Sequence, residues 1–250
     1  METKIIIHKD FSHLEKFINS LPESFLHKGE KLHDGRNKVK RFRLGREWIV
    51  VKKFKRPNIV QKIAYSFFKS SKAERAYLFA EKLRGMGIST PHEIGYIEIK
   101  RKGLLDESYF ISTQCSYAAL SQILDGEDFS KEAADALAGY LVDLHGKGIL
   151  HGDLNLTNIL YRIEDDKYEF TLIDTNRSKF RESLGRKECL ENMKRLTHDR
   201  ELMEYIVSAY ARLKRWDKDG TVREMMESLN RFEEKIRRKR KFQKMTGLRK

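Results

Sequence analysis

The run His151-Gly152-Asp153-Leu154-Asn155-Leu156-Thr157-Asn158-Ile159-Leu160 constrains this chain more tightly than any other stretch. Sixteen residues after Asn158, the apolar segment Leu172-Ile173 ends in Asp174. An Asp, an Asn five residues on and a second Asp at the end of the next strand form the set needed to move a phosphoryl group from a metal-bound nucleotide. Asp153 can accept the proton of an attacking hydroxyl, while Asn158 and Asp174 can offer oxygens to Mg2+. The turn Glu164-Asp165-Asp166-Lys167 lies between two strand-like runs and predicts a hairpin that carries Asp174 back beside Asn158. Single Asp and Asn residues near strand ends are ordinarily turn formers or helix caps. Spacing, flanking apolar strands and the later Asp together favour the catalytic reading, with His151 bracing the turn.

The first third of the chain supplies the groups that would face the nucleotide. Phe11, Leu14, Phe17 and Ile18 have helical spacing, which Leu21-Pro22 is expected to end. Three strands with short turns follow, at 31–33, 39–44 and 47–54. The first turn, Asp34-Gly35-Arg36-Asn37, is where a phosphate-covering loop would lie, but Gly35 stands alone rather than in a G-x-G-x-x-G series. An ordinary hairpin is an equally good reading of it. Strand alternation separates Val50 and Lys52 from Ile49, Val51 and Lys53. Lys52 is the candidate for the nucleotide phosphates, with Lys53 as the fallback.

Ser70 or Ser71 can cap a helix whose apolar stripe is Ala73, Ala76, Tyr77, Ala80 and Leu83 and which stops at Gly85. Glu74, in its first turn, is expected to pair with Lys52 and fix the ammonium. Two more strands, at 95–99 and 108–113, complete a lobe of five strands and one helix. The chain then crosses through Gln114-Cys115-Ser116 into helical territory, where a helix over 131–145 leads to His151. The stripes Leu202 to Leu213 and Val222 to Ile236 read as core packing.

Composition narrows the partners. The 250 residues carry a formal charge of +14, so an anionic partner is expected. Residues 231–250 hold ten Lys/Arg against two Glu, a solvated helix face or an attachment to acidic lipid headgroups. Nucleic acid is the less favoured partner. No apolar run approaches the ~18 residues of a membrane span, and Cys115 and Cys189 lack metal-ligand spacing, so a cytoplasmic protein with reduced thiols is expected.

With the strand Lys, helix Glu, H-x-D-x-x-x-x-N loop and I-D strand in order, the chain resembles the eukaryotic-like kinase superfamily. Gly35-Arg36-Asn37, Val51-Lys52-Lys53-Phe54, Ser71-Lys72-Ala73-Glu74-Arg75, Gly87-Ile88-Ser89-Thr90-Pro91 and His151-Gly152-Asp153-Leu154-Asn155 are similar to the lipopolysaccharide kinase family, the Kdo/WaaP and InaA-like proteins. That resemblance implies an α+β, bilobal protein-kinase-like fold, with a small antiparallel-sheet lobe over 1–114 and a mainly helical lobe over 115–250. It implies ATP and Mg2+ as cofactors and a Kdo or heptose hydroxyl of the lipopolysaccharide inner core as acceptor. It also implies work at the cytoplasmic face of the inner membrane, where the basic tail would hold the protein peripherally.

The chain departs from protein kinases in having Gly152 in place of the Arg of H-R-D and Thr175-Asn176-Arg177 after Asp174. No A-P-E segment follows, which favours a glycan or small-molecule acceptor over a protein. Arg177 can meet a phosphate, an anionic sugar or a neighbouring carboxylate. The alternatives are a small-molecule phosphotransferase or atypical protein kinase of the same fold and, from another class, a non-catalytic basic binding module.

Overall fold

The computed structural model describes residues 1–126 and 128–245. Their contacts divide into two compact units, Met1–Tyr117 with Thr171–Arg177, and Ala118–Phe170 with Ser178–Lys250. The sequence division falls after Gln114, three residues before the first break, and does not separate out Thr171–Arg177.

The first unit contains β1 (Glu2–Ile7), α1 (Glu15–Ser24), β2 (Glu30–Asp34), β3 (Lys38–Leu44), β4 (Glu47–Lys53), α2 (Ile59–Phe67), α3 (Lys72–Gly85), β5 (Glu93–Arg101) and β6 (Leu104–Thr113). Six strands form one sheet in the order β1-β5-β6-β4-β3-β2. The sheet thus has one strand more than the five expected, and three helices accompany it rather than one. The extra strand, β1, pairs antiparallel with β5 from Glu2 opposite Lys100 to Ile7 opposite Gly95. Its partner is some ninety residues away, so no local turn marks it.

Period-two alternation explains the core. Ile49 and Val51 of β4 are buried with Ile94, Ile97, Tyr109 and Ile111, and Ile18, Leu21 and Phe25 from α1 and its end close over them. Pro22 lies inside α1 and does not end it. Proline removes one amide donor, but the helix resumes its pattern with the Phe25 amide on the Leu21 carbonyl at 2.8 Å. Helix α3 starts where the Ser71 hydroxyl accepts from the Glu74 amide at 3.1 Å, a cap of the kind worth about 1 kcal/mol. Its buried face is Ala73, Ala76, Tyr77, Ala80 and Leu83, as the stripe predicted.

The second unit contains β7 (Ala118–Ala119), α4 (Ser121–Leu124), α5 (Lys131–Gly146), β8 (Ile149–Leu150), β9 (Ile159–Glu164), β10 (Lys167–Leu172, whose last two residues pass into the first unit), β11 (Lys179–Phe180), α6 (Arg186–Met193), α7 (Arg200–Leu213) and α8 (Lys218–Met245). Strands β9 and β10 are the expected hairpin, and Asp165 and Asp166 take positive φ of 47° and 56° in its two-residue turn. The Ser130 hydroxyl caps α5, which buries Leu137, Leu141 and Leu144 and leads into β8. Gly148, at φ 71°, lies where a Cβ would meet the Arg181 carbonyl at 1.9 Å, so only glycine lets β8 and β11 close together there. Cys115 and Cys189 are both free thiols.

Candidate active site

The catalytic-loop residues assemble within the second unit around one backbone carbonyl. After β8 the chain turns at Gly152, whose φ of 75° lies in the left-handed region that a side chain disfavours. This gives a physical reason for Gly between His151 and Asp153. Asn155 then caps a short 3-10 turn over Leu156–Asn158, its Oδ1 accepting from the Thr157 and Asn158 amides at 3.1 Å each. The Asn158 side-chain amide donates to the Asp153 carbonyl at 2.9 Å, and that of Asn155 to the same oxygen at 3.2 Å. Committing the Asn158 nitrogen in this way orients Oδ1 as its remaining donor to a cation. His151 is fully buried, in keeping with a bracing role.

Asp153 keeps its carboxylate partly exposed, with the Arg195 guanidinium 3.7 Å from Oδ1. Both side chains line a cavity of about 600 Å³, together with Asp125, Thr157, His198 and Phe232. The Arg195 guanidinium also stacks 5.0 Å over the Phe232 ring, and His198 meets Glu233 at 3.0 Å. Sequence reasoning missed Arg195, His198 and Phe232 as site neighbours. They lie far from the loop in sequence, and Phe232 reads as one member of a helical core stripe.

The nucleotide-facing candidates assemble within the first unit. Lys52 Nζ is 2.7 Å from Asp174 Oδ1. Asp174 has φ 58°, unusual for a residue with a side chain, and strain of this kind is commonly kept where a functional group must be aimed. Lys53, the fallback, points elsewhere and pairs with Glu107 at 2.5 Å. Burial raises the Glu107 carboxyl, but hydrogen bonds from Lys53, Tyr109 and Arg56 outweigh it and hold the group down at about 2. Lys53 is therefore part of a structural ion-pair network, and Lys52 is left as the phosphate candidate.

The expected pairing of Glu74 with Lys52 requires correction. Glu74 Oε1 is 3.2 Å from Lys4 Nζ and 3.2 Å from the Tyr96 hydroxyl, while Lys52 is taken by Asp174. Partial burial pushes the Glu74 carboxyl up, but hydrogen bonds from Ser70, Lys4 and Tyr96 prevail and hold it below the ordinary range. The competing cation comes from β1, the strand that sequence patterning did not reveal. Gly35 lies in the turn between β2 and β3, where its amide donates to the Asn37 carbonyl at 3.2 Å. The Asn37 side chain in turn accepts from the Lys55 amide at 3.1 Å, tying that turn to the end of β4.

Lys72, at the start of α3, was also missed. Burial, then the nearby charges of Arg36, Arg177, Arg75 and Lys52, push its ammonium down. The first unit therefore gathers basic groups from the first turn, from α3, from β4 and from the segment after Asp174, a setting that favours a polyphosphate.

The Asn158 amide oxygen, in the second unit, and the Asp174 carboxylate, in the first, are each of the kind that suits a hard divalent cation. Among the described residues, a different cluster, His8, Asp10 and His92, also brings three potential ligand atoms within 4.8 Å of one another. There the His8 Nδ1 accepts from the Asp10 amide at 3.3 Å, which caps the following 3-10 turn.

The profile of the lipopolysaccharide kinase (Kdo/WaaP) family matches residues 87–216, just over half of the chain. The chain belongs to that family. It is accordingly a kinase, a phosphotransferase that uses ATP. Among solved structures, WaaP in complex with acyl carrier protein aligns with 14% identity over 91% of this chain and 98% of that one, at a TM-score of 0.61. That likeness supports the α+β, protein-kinase-like fold read from the sequence. The Rio2 kinase-ADP/Mg2+-phosphoaspartate complex from Chaetomium thermophilum aligns with 13% identity over 89% of this chain and 78% of that one, at a TM-score of 0.47. Compared with curated proteins by sequence, the chain has no significant match.

Proposed function

We propose that this kinase transfers the γ-phosphoryl group of ATP to a hydroxyl of a Kdo or heptose residue in a lipopolysaccharide core precursor. The observation that carries this reading is the cavity beside Asp153, wide enough for a sugar and lined by both Arg195 and Phe232. A guanidinium suits the carboxylate or phosphate of an anionic core sugar, and the Phe232 ring on which it stacks supports the Arg195 fork beside Asp153.

In this reading Asp153 accepts the proton of the sugar hydroxyl as its oxygen attacks the γ-phosphorus. The bond to the β-γ bridging oxygen breaks and ADP leaves. Lys52 steadies the phosphates, with Lys72 and the Gly35 turn contributing positive charge and backbone amides. Asn158 and Asp174 would hold Mg2+, which supplies charge neutralisation at the phosphates when bound. Glu74 acts on Lys4 and Tyr96 in the structure, so any effect on the nucleotide is indirect. The acceptor's lipid would place the enzyme at the cytoplasmic face of the inner membrane, with exposed Arg237, Arg238 and Lys239 of α8 near anionic headgroups. The last five residues of the basic tail, 246–250, lie outside the described residues.

Incubation with Mg-ATP and deacylated core oligosaccharides, followed by mass analysis, should show one added phosphate on the sugar. Turnover of an aminoglycoside or a protein in its place, with the oligosaccharides unmodified, would contradict the acceptor assignment.

A further inference from the structure

Helix α2 and the residue after it present Ile59, Val60, Ile63, Phe67 and Phe68 to solvent, at 62, 72, 43, 67 and 79% exposure. No residue of α2 is buried. A helix of nine residues in a protein of this size would ordinarily turn such residues inward, and contiguous exposed apolar surface marks an interaction site. The spacing 59, 63, 67, with 60 alongside, places these side chains on one face of a helix about 14 Å long.

An adjoining side of the helix fixes it in place. Lys62 reaches Asp106 at 2.6 Å, and the Ser66 hydroxyl accepts from the Leu105 amide at 2.9 Å. At its start, Asn58 and Gln61 exchange capping hydrogen bonds. The exposed face is thus held outward by a rigid support that β6 provides.

Charge identifies the occupant. From Phe54 to Ala73 the sequence holds five Lys/Arg and no Asp or Glu. Arg56 and Lys62 are neutralised by Asp106 and Glu107, whereas Lys55 and Lys69 are exposed at the two ends of the helix. Apolar side chains protruding between basic residues fit an anionic lipid surface, where the side chains enter the acyl boundary and the ammonium groups stay among the headgroups. A protein partner is less suited, because a standard interface needs roughly 20–30 residues a side.

We propose that α2 is a membrane-docking element that inserts Phe67, Phe68 and the neighbouring aliphatic side chains into an anionic phospholipid bilayer. This attachment is separate from the basic tail and does not depend on which sugar is phosphorylated. It differs from tail attachment in having an apolar component that high salt does not abolish.

The test uses the full chain, sedimented with vesicles of phosphatidylethanolamine containing a third phosphatidylglycerol, and with phosphatidylcholine vesicles. The wild-type protein should bind the anionic vesicles and retain part of that binding at high salt. The double variant F67S/F68S should bind them about tenfold more weakly or worse, and K55E/K69E several-fold more weakly. Because these side chains are exposed, both variants should keep the wild-type circular dichroism and the wild-type turnover of a soluble acceptor. Wild-type vesicle affinity in F67S/F68S would overturn the proposal, as would failure of the wild-type chain to bind anionic vesicles. So would a wild-type dimer in sedimentation velocity that F67S/F68S dissolves, since the face would then be covered by a second copy.

Discussion

In the first unit the ionisable groups near the site are held by one another: Lys52 by Asp174, Lys53 by Glu107, and Glu74 by Lys4. In the second, Asn155 and Asn158 are held by the chain itself, through hydrogen bonds to the Asp153 carbonyl and from the amides of their own turn. Ion pairs can exchange partners when a charged ligand arrives. A loop pinned through its backbone keeps one geometry. The contrast suits a nucleotide whose phosphates must displace resident charges, and an acid-base group that must wait in a fixed position.

The largest effect should come from the pinned loop. Asp153→Asn keeps the shape and removes the proton acceptor, so kcat should fall by about a thousandfold with little change in nucleotide affinity. The steady-state rate at which phosphorylated acceptor forms checks this.

Acid should reach the two units in different pH ranges. In the second unit, burial pushes His145 down to about 4 from an ordinary 6.5, against the hydrogen bond that its Nε2 donates to Asn192 Oδ1. In the first, Glu107 stands at about 2 against an ordinary 4.5. Both values are lower folded than unfolded, so each contribution is present at neutral pH and is lost as pH falls. His145 acts between about 6.5 and 4, and Glu107 between about 4.5 and 2, each with at most about 3 kcal/mol at stake. Denaturant melts across pH should therefore show loss of stability beginning near pH 6. H145Q should remove that early phase, and E107Q the later one.

Lys52→Met should lower kcat/KM for ATP by about ten- to a hundredfold, because it removes a phosphate-facing charge and frees Asp174. A similar loss in Lys53→Met without loss of stability would break the distinction drawn between the two lysines. Gly152→Ala should destabilise the protein by about 1 kcal/mol, since its backbone must stay left-handed, lowering Tm by roughly 2–4 °C. The smallest effect should be that of Glu74→Gln, less than threefold in kcat/KM for ATP. A loss matching that of Lys52→Met would show that Glu74 exchanges Lys4 for Lys52 during turnover.

Local patterns made much of this legible. The cap at Ser71, the α3 stripe and the β9–β10 turn all depend on neighbours a few residues apart. Long-range pairings were not legible. β1 finds β5 some ninety residues on, and its Lys4 takes the carboxylate that sequence spacing had given to Lys52. Arg195 and Phe232 reach the Asp153 cavity through tertiary packing. Helix α2 escaped notice because its apolar residues follow an ordinary helical period, and only the fold reveals that they face outward.

The central claim is that Asp153 takes the acceptor's proton and has no part in holding the nucleotide. Single-turnover transfer of labelled γ-phosphate, with Mg-ATP binding followed by calorimetry on the same Asp153→Asn protein, tests it directly. The account predicts binding within about twofold of wild type and transfer slowed by about a thousandfold. Transfer at the wild-type rate, or loss of nucleotide binding in step with transfer, would contradict it.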